Sequence, residues 1–210
     1  MRLLALLLAF SAPLVASAEP KVPFDEDFEG DEAPPSLALG PSPRGHMVAG
    51  VGVGWLRSEV QAQLGLGYWI DITFRGDSMT LYQGFNAQNS VQAGVRVSPF
   101  SEGLFRLSFA LEGGEVFAPI SGAMKTFPVV RGEVASGLVL EPVTLYGRVS
   151  LRGAPSDSVF DDRWAQDTEA GIGLEGHVAK RLILGIEGFA WARQRTDTLW
   201  QWRIRVGWAI

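Results

Sequence analysis

The last part of the chain alternates strictly between two kinds of residue, and this alternation limits the possible folds more than any other feature. One set of positions is aromatic or aliphatic, and its members are Trp200, Trp202, Ile204, Val206, Trp208 and Ile210. Successive side chains of a β-strand point to opposite faces, so a period of two predicts a strand between two different environments. The same period recurs in residues 91–98, 104–111, 130–140, 143–152, 169–178 and 182–193. We therefore expect an all-β fold.

Residues 1–18 have the three regions of a secretory signal peptide. Arg2 supplies a basic start, residues 3–10 are continuously apolar, and residues 16–18 form the small-residue pattern of a cleavage site. This order predicts export, with a mature chain that begins near Glu19.

The rest of the chain offers neither a lipid anchor nor a spanning helix. It contains no cysteine, so we expect no disulfide and no lipid-modified cysteine. No stretch after the signal peptide approaches the ~18 uncharged apolar residues that a spanning helix needs. Because every backbone polar group must be paired inside a lipid bilayer, a closed β-barrel is the alternative for insertion.

Residues 19–44 form an acidic, proline-rich arm that carries almost all of the net charge of −5. Its prolines exclude a helix or a central strand, and they are Pro20, Pro23, Pro34, Pro35, Pro41 and Pro43. We expect a disordered, solvated segment, with a docking segment for a periplasmic protein partner as the alternative. The chain has no basic patch, so nucleic-acid binding is not expected.

The connections between the expected strands alternate in length. Short ones fall at residues 99–103, 141–142 and 180, and longer polar ones at 77–89, 113–128, 153–167 and 194–198. Short turns on one side and longer loops on the other are typical of an antiparallel up-and-down barrel, with the short turns in the periplasm. The last strand would then end in the periplasm, as would the N-terminal arm.

The number of strands is eight or ten. Ten results if residues 60–86 fold as a hairpin, around residues 68–70 or around 75–78, because single-chain barrels use even numbers. Eight results if residues 45–55 lie outside the barrel. We favour ten, and we place the barrel domain at residues 45–210.

The alternation also predicts which face meets lipid. Packing Trp200, Trp202 and Trp208 of one strand into a narrow interior is sterically awkward. Trp200 and Trp208 are about 26 Å apart along a strand, or about 20 Å in depth at a tilt of ~40°, which suits two aromatic girdles. The opposite faces would line the lumen, and their charged members are Arg96, Arg106, Arg131, Glu133, Arg148, Arg152, Glu169, Glu175, Glu187, Arg193, Arg203 and Arg205.

In architecture, residues 45–210 resemble the small outer-membrane β-barrel proteins, the superfamily that includes the outer-membrane protein A barrel. The chain end resembles the C-terminal signal read by the outer-membrane assembly machinery, with Trp208 and Ile210 at its apolar positions. Arg205 stands where glycine is usual, and Ile210 replaces the common phenylalanine. The resemblance implies the outer membrane of a Gram-negative bacterium, with lipid, lipopolysaccharide and the assembly machinery as partners.

The sequence shows no catalytic motif, and we expect no cofactor and no metal. On the expected topology, His46 and His177 lie at the periplasmic rim, away from the outer leaflet where barrel enzymes act. The loop at residues 153–167 contains Asp157, Asp161, Asp162 and Asp167. We expect an ordinary solvated loop, with contacts to divalent cations or lipopolysaccharide as the alternative.

Three functions follow from these observations. The first is a small closed barrel with a structural, adhesive or complex-anchoring role. The second is a narrow, anion-leaning channel, because arginines outnumber glutamates among the predicted lumen residues. The third is an outer-leaflet lipid-modifying enzyme. A closed lumen needs paired charges, and we expect Glu187, opposite Ile204, to pair with Arg203 and Arg205, and Glu133 to pair with Arg148.

Overall fold

Ten antiparallel strands, each with alternating inward and outward side chains, make up the fold. The computed structural model describes residues 36–55, 57–78, 89–100, 103–120, 123–155, 164–179, 181–193 and 198–210. The strands are β1 (Met47–Gly54), β2 (Ser58–Gly65), β3 (Ile70–Ser78), β4 (Asn89–Phe100), β5 (Phe105–Ile120), β6 (Ala123–Leu140), β7 (Val143–Pro155), β8 (Trp164–Ala179), β9 (Leu182–Arg193) and β10 (Leu199–Ala209).

Each strand pairs with its neighbours in sequence, and β1 closes the sheet against β10. The prediction of a closed, antiparallel up-and-down barrel is therefore confirmed, with ten strands. Residues 45–55 contribute β1, so the eight-strand alternative is wrong. The hairpin within residues 60–86 turns between β2 and β3 at residues 66–69, so the alternative turn at 75–78, inside β3, is wrong as well.

The barrel has two ends that differ in their connections. We call the end where β1 begins and β10 finishes the terminal end, and the opposite one the loop end. The connections at the terminal end are residues 66–69, 101–104, 141–142 and 180–181, and those at the loop end are 55–57, 79–88, 121–122, 156–163 and 194–198.

One long loop expected from the sequence is a strand hairpin instead. Residues 113–120 belong to β5 and residues 123–128 to β6, and the two strands stay paired as far as Ile120 and Ala123. The glycines and prolines in this stretch resemble turn residues, but the two strands satisfy each other's backbone groups beyond the ends of their neighbours. The pairing of β4 with β5 reaches only Phe117.

The outward face of the sheet is apolar. Exposed large side chains occur on every strand, with aromatic ones near both ends: Trp55 and Trp200 near the loop end, and Trp69 and Trp208 near the terminal end. The described residues include no helix long and apolar enough to cross a membrane.

The last residues of the acidic arm do not fit the expectation of disorder. Residues 36–43, here called the inserted segment, lie inside the barrel at its terminal end, and Leu39 is 0 % exposed. This stretch carries no charge, unlike the acidic residues before it, so it can enter the lumen without stranding an ion. Residues 19–35 of the arm lie outside the described part of the chain.

The barrel lumen as candidate functional site

The lumen is lined mainly by charged and polar side chains, the reverse of a soluble protein's core. The predicted lumen residues that the structure buries are Arg96, Arg106, Arg131, Glu133, Arg148, Arg152, Glu169, Glu175, Glu187, Arg203 and Arg205. The side chain of Arg193 lies outside the described part of the structure. The strand alternation explains this distribution, because a period of two places every second residue in the lumen.

Sequence reasoning missed six charged lumen residues: Arg57, Glu59, Asp71, Arg75, Asp77 and Glu112. Most belong to β2 and β3, where polar residues occupy the odd positions from 57 to 63 and from 71 to 77. The signal was therefore present as a period of two. It could not be assigned to a face while the position of the β2–β3 turn was undecided.

Glu133 lies at the centre of the charge network, among four arginines. Its carboxylate oxygens are 2.9 Å from Arg131, 3.3 Å from Arg148, 3.4 Å from Arg75 and 3.8 Å from Arg96. These side chains come from four different strands, so one buried carboxylate links distant parts of the wall. The pairing of Glu133 with Arg148 is the one that the sequence predicts.

A second group of ion pairs joins β2 to β10 over the inward face of β1. Glu59 is 3.1 Å from Arg75 and 3.3 Å from Arg205, and it also contacts Arg203. Inward Gly52 of β1 lies below this group, and a Cβ there would come within 2.6 Å of the Arg203 side chain. The missing side chain on β1 thus leaves room for an arginine from β10.

Glu187 occupies a slightly different register from the expected one. It lies directly opposite Arg203 in the β9–β10 ladder, whereas Ile204 lies opposite Ile186, so the expected pairing was wrong by one residue. Glu187 nevertheless reaches Arg203 at 3.2 Å and contacts Arg148 of β7. The error arose because the position of the turn between β9 and β10 was estimated from sequence alone.

The network extends to the loop end through Arg57. Arg57 lies 2.6 Å from Asp77 and contacts Glu169, which in turn is 3.6 Å from Arg131. The Ser90 hydroxyl donates a hydrogen bond of 3.0 Å to Asp77. The ion pairs therefore form a continuous chain from the loop end to the centre of the barrel.

Positive and negative groups nearly balance among the buried lumen residues that the structure describes. The arginines of the ion pairs are Arg57, Arg75, Arg96, Arg131, Arg148, Arg203 and Arg205. The carboxylates of the ion pairs are Glu59, Asp77, Glu112, Glu133, Glu169, Glu175 and Glu187. The lumen also buries Arg106, Arg152 and Asp71, so nine arginines face eight carboxylates. Most of the excess of arginine that suggested anion preference came from overlooking the acids of β2, β3 and β5.

The inserted segment fills the lumen at the terminal end through hydrogen bonds to inward side chains. Glu175 accepts a bond of 2.8 Å from the Ser36 hydroxyl and one of 3.1 Å from the Leu37 amide. The Leu37 carbonyl accepts a bond of 2.9 Å from the Gln61 side chain. Further along, the Ser42 amide donates a bond of 2.8 Å to Asp71. The barrel wall thus pairs several of the segment's backbone groups, and the Ser36 hydroxyl of the segment itself accepts bonds from the Ala38 and Leu39 amides.

The outward tryptophans mark the two ends of the surface that meets the membrane. Trp200, near the loop end, is 81 % exposed, and Trp208, near the terminal end, is 49 % exposed. Trp202 lies two residues after Trp200 on the same outward face of β10 and is also exposed. Ile210 is exposed as well, and its amide donates a bond of 2.7 Å to the Met47 carbonyl where the barrel closes.

The remaining candidates are the two histidines and the aspartates of the loop at residues 153–167. His46 precedes β1 and His177 lies near the end of β8, so both are at the terminal end. Within the described ranges, no group of three metal-ligating side chains is arranged to hold a metal ion. Asp157, Asp161 and Asp162 lie outside the described residues, as does the side chain of Asp167.

Comparisons with known proteins give structural matches only. No family model matches the sequence, and no curated protein matches it at a significant level. The NanC porin matches at a TM-score of 0.40 and 15 % identity, over 78 % of this chain and 97 % of that chain. A porin refined at 1.8 Å resolution matches at 0.36 and 11 %, over 81 % and 60 %. A loop-deletion mutant of OmpT, an outer membrane protein of Vibrio cholerae, matches at 0.31 and 9 %, over 79 % and 97 %.

The barrel's own surfaces identify its environment. Buried arginines and glutamates fill the inside, and exposed aliphatic and aromatic side chains cover the outside. In water the large exposed apolar area would be costly, whereas in lipid an apolar band bounded by aromatic residues is favoured. The chain is a transmembrane β-barrel of the outer-membrane kind.

Proposed function

We propose that the protein is a closed, non-conducting barrel with a structural or complex-anchoring role in the outer membrane. The observation that carries this proposal is the filled lumen, where a balanced network of buried ion pairs runs from the loop end to the inserted segment. The large arginine side chains occupy the volume that a channel would leave to water.

Physical size supports closure. Barrels of about eight strands are just filled by their side chains, and ten strands add only a little room. Charges in so narrow an interior must be paired, since an unpaired buried charge is strongly destabilising. Arg203 and Glu187, both 0 % exposed, meet this requirement by pairing with each other. The nearly equal numbers of buried arginines and carboxylates also favour the closed barrel over the anion-leaning channel.

The proposed orientation places the terminal end in the periplasm. Its connections at residues 66–69, 101–104, 141–142 and 180–181 are all short, as periplasmic turns of outer-membrane barrels are. The N-terminal arm and the C-terminus then lie on the periplasmic side. The loop end, with the connections at residues 79–88 and 156–163, faces outward.

The β5–β6 hairpin supports a role at the outer surface. Its strands remain paired from Glu115 and Pro128 to Ile120 and Ala123, while the ladder between β6 and β7 begins only at Val130. Met124 at the far end is exposed. A hairpin that extends beyond its neighbours offers backbone edges and side chains to a partner, which suits an adhesive or anchoring protein.

The proposed partners are those implied by the sequence. Lipid and lipopolysaccharide would surround the apolar outer face, the assembly machinery would recognise the chain end, and a periplasmic protein is the candidate partner for the acidic arm. The proposal includes no enzymatic activity, because His46 and His177 lie at the terminal end and not beside the outer leaflet. Unchanged lipid A and phospholipid profiles in a deletion strain would support this part of the proposal.

Conductance of the purified barrel in planar lipid bilayers tests closure. We expect no discrete current steps at neutral pH from the full-length mature protein. Heat-dependent mobility on gels checks that the sample is folded, and recovery of the protein with lipid vesicles checks insertion, because a barrel that never inserted would also be silent. Reproducible current steps from the inserted protein would contradict the proposal and favour the channel.

A further inference from the structure

The inserted segment continues along the chain into the barrel only at its C-terminal end, where residues 44–46 lead to β1. Residues 36–43 are not part of the sheet, and beyond them a single parallel bridge joins Arg44 to Gly65 before β1 begins. The segment is held instead by side chains from the barrel wall. Its environment is therefore that of a bound peptide.

Two leucines of the inserted segment enter pockets whose walls are glycines. Leu37 packs with Val48, Ile183 and Ala209. A Cβ at Gly50 would lie 2.9 Å from the Leu37 side chain, and one at Gly207 would lie 2.5 Å from it. Glycine weakens a strand and often marks a close approach by another group, so these two inward positions are shaped to receive a leucine.

The pocket of Leu39 is built in the same way on the opposite part of the wall. Leu39 packs with Ala135 and Tyr146, and a Cβ at Gly137 would come within 2.8 Å of its side chain. Small inward residues thus occur on β1, β6 and β10 where the leucines enter. A Cβ at Gly50, Gly137 or Gly207 would clash with one of the two leucines.

Polar groups of the wall recognise the backbone of the segment between and beside the two leucines. The Ser98 hydroxyl donates a bond of 3.3 Å to the Leu39 carbonyl, and Arg106 donates one of 3.3 Å to the Gly40 carbonyl. Glu175 and Asp71 accept bonds from segment amides. The wall therefore pairs with both the donors and the acceptors of the segment's backbone. Recognition of this kind is typical of a peptide-binding site.

We propose that the terminal half of the lumen is a peptide-binding site, and that its ligand is the chain's own residues 36–43. The site takes a short, uncharged peptide with two leucines two positions apart, and it forms without the ligand. The occupied site closes the terminal end, next to the charge network, with which it shares Glu175. This proposal goes beyond a closed barrel, because a ligand can leave its binding site whereas a part of the core cannot.

Binding in trans tests the proposal. The full-length mature chain with Leu37→Asp and Leu39→Asp should release its own segment, because two carboxylates do not enter apolar pockets. A fluorescent peptide of residues 33–44 should then bind the variant saturably in detergent micelles, measured by anisotropy. Wild-type protein should bind it at least ten times more weakly, since its site is occupied. A peptide of the same composition in scrambled order controls for partition into micelles.

Absence of saturable binding to a variant that keeps heat-dependent gel mobility would overturn the proposal. The segment would then be an integral part of the core, not a ligand. Equal binding of the scrambled peptide would overturn it as well.

A double-mutant cycle provides a test that does not depend on the aspartate variant folding. Gly207→Ala and Leu37→Ala should each lower the thermal unfolding temperature by at least ~3 °C. The double variant should recover at least half of the sum of the two losses, because the new methyl group meets no leucine. Gly188→Ala is the control, since a Cβ there meets nothing within 4 Å. Additive losses would show that Leu37 does not occupy this pocket and would overturn the proposal.

Discussion

At the scale of single residues, the lumen is stabilised by carboxylates that each serve several arginines. Glu133 is the clearest case, with Arg131 at 2.9 Å and Arg148 at 3.3 Å. In such a group, loss of a carboxylate leaves several positive charges close together in a region of low dielectric constant. The cost of this loss exceeds that of one broken surface ion pair, which is typically below about 1 kcal/mol.

Replacing the central carboxylate by its isosteric amide should therefore destabilise the barrel strongly. We expect Glu133→Gln to lower the free energy of unfolding by about 3–5 kcal/mol, because it strands buried arginines. Glu115→Gln, at an exposed position on β5, should change it by no more than about 0.5 kcal/mol. Chemical unfolding in micelles, followed by tryptophan fluorescence, measures both variants. Similar values for the two would indicate a hydrated lumen in which water replaces the lost charge.

The sequence predicts which residues face the lumen better than it predicts their partners. Alternation alone places Arg148, Glu187 and Arg203 on inward faces. The distances between these charged groups depend on strand register and on closure of the barrel, and a local sequence pattern encodes neither. A shift of one residue in the β9–β10 turn accordingly put Glu187 opposite Ile204 instead of Arg203.

At the scale of elements, β10 closes the barrel and leads into the proposed assembly signal. Its backbone closes the barrel against β1, through pairs such as Val51 with Val206 and Ala49 with Trp208. Its outward side chains, including Trp208 and Ile210, make no contribution to this backbone ladder. The proposed recognition by the assembly machinery therefore does not compete with the backbone pairing that closes the barrel.

Substitution at the chain end can test this proposal without removing backbone hydrogen bonds. We expect Trp208→Ala combined with Ile210→Ala to lower outer-membrane levels several-fold, with accumulation and proteolysis in the periplasm. Trp200→Ala combined with Trp202→Ala is the matched control, because both residues lie on the same outward face of β10. Immunoblots of fractionated cells measure the outcome. Equal outer-membrane levels for the two double variants would place the assembly signal elsewhere.

Element boundaries were predictable where turn residues and the period of two agreed. They failed at residues 113–128, where glycines suggested a loop. Gly114 is needed there for a different reason, since a Cβ would lie 2.0 Å from the Val91 carbonyl oxygen. A close approach between neighbouring strands and a turn use the same residue type, so the sequence alone does not distinguish them.

At the scale of the whole molecule, the two proposals together imply that the lumen is closed twice. The charge network occupies the centre and the loop end, and the inserted segment occupies the terminal end. No alternation or turn pattern predicts the second closure, because it depends on pockets assembled from β1, β6 and β10. Two closures in series predict that opening either one alone leaves the barrel shut.

Conductance of three variants tests this arrangement. The first variant carries Leu37→Asp and Leu39→Asp, which release the inserted segment, and the second carries Glu133→Ala and Arg148→Ala. The second pair removes one charge of each sign, so the net charge of the lumen is unchanged while the centre loses two long side chains. We expect neither variant to produce current steps in planar bilayers, because each retains one closure. The combined variant should conduct.

A second experiment on the combined variant uses the synthetic peptide of residues 33–44. This peptide should block the current when it is added on the side of the terminal end. A block from that side alone would agree with a site that opens at one mouth. Current from either parent variant would mean that the lumen has a single closure. A current that the peptide does not reduce would mean that the conducting path avoids the pockets of Leu37 and Leu39, and the two closures would then not lie in series.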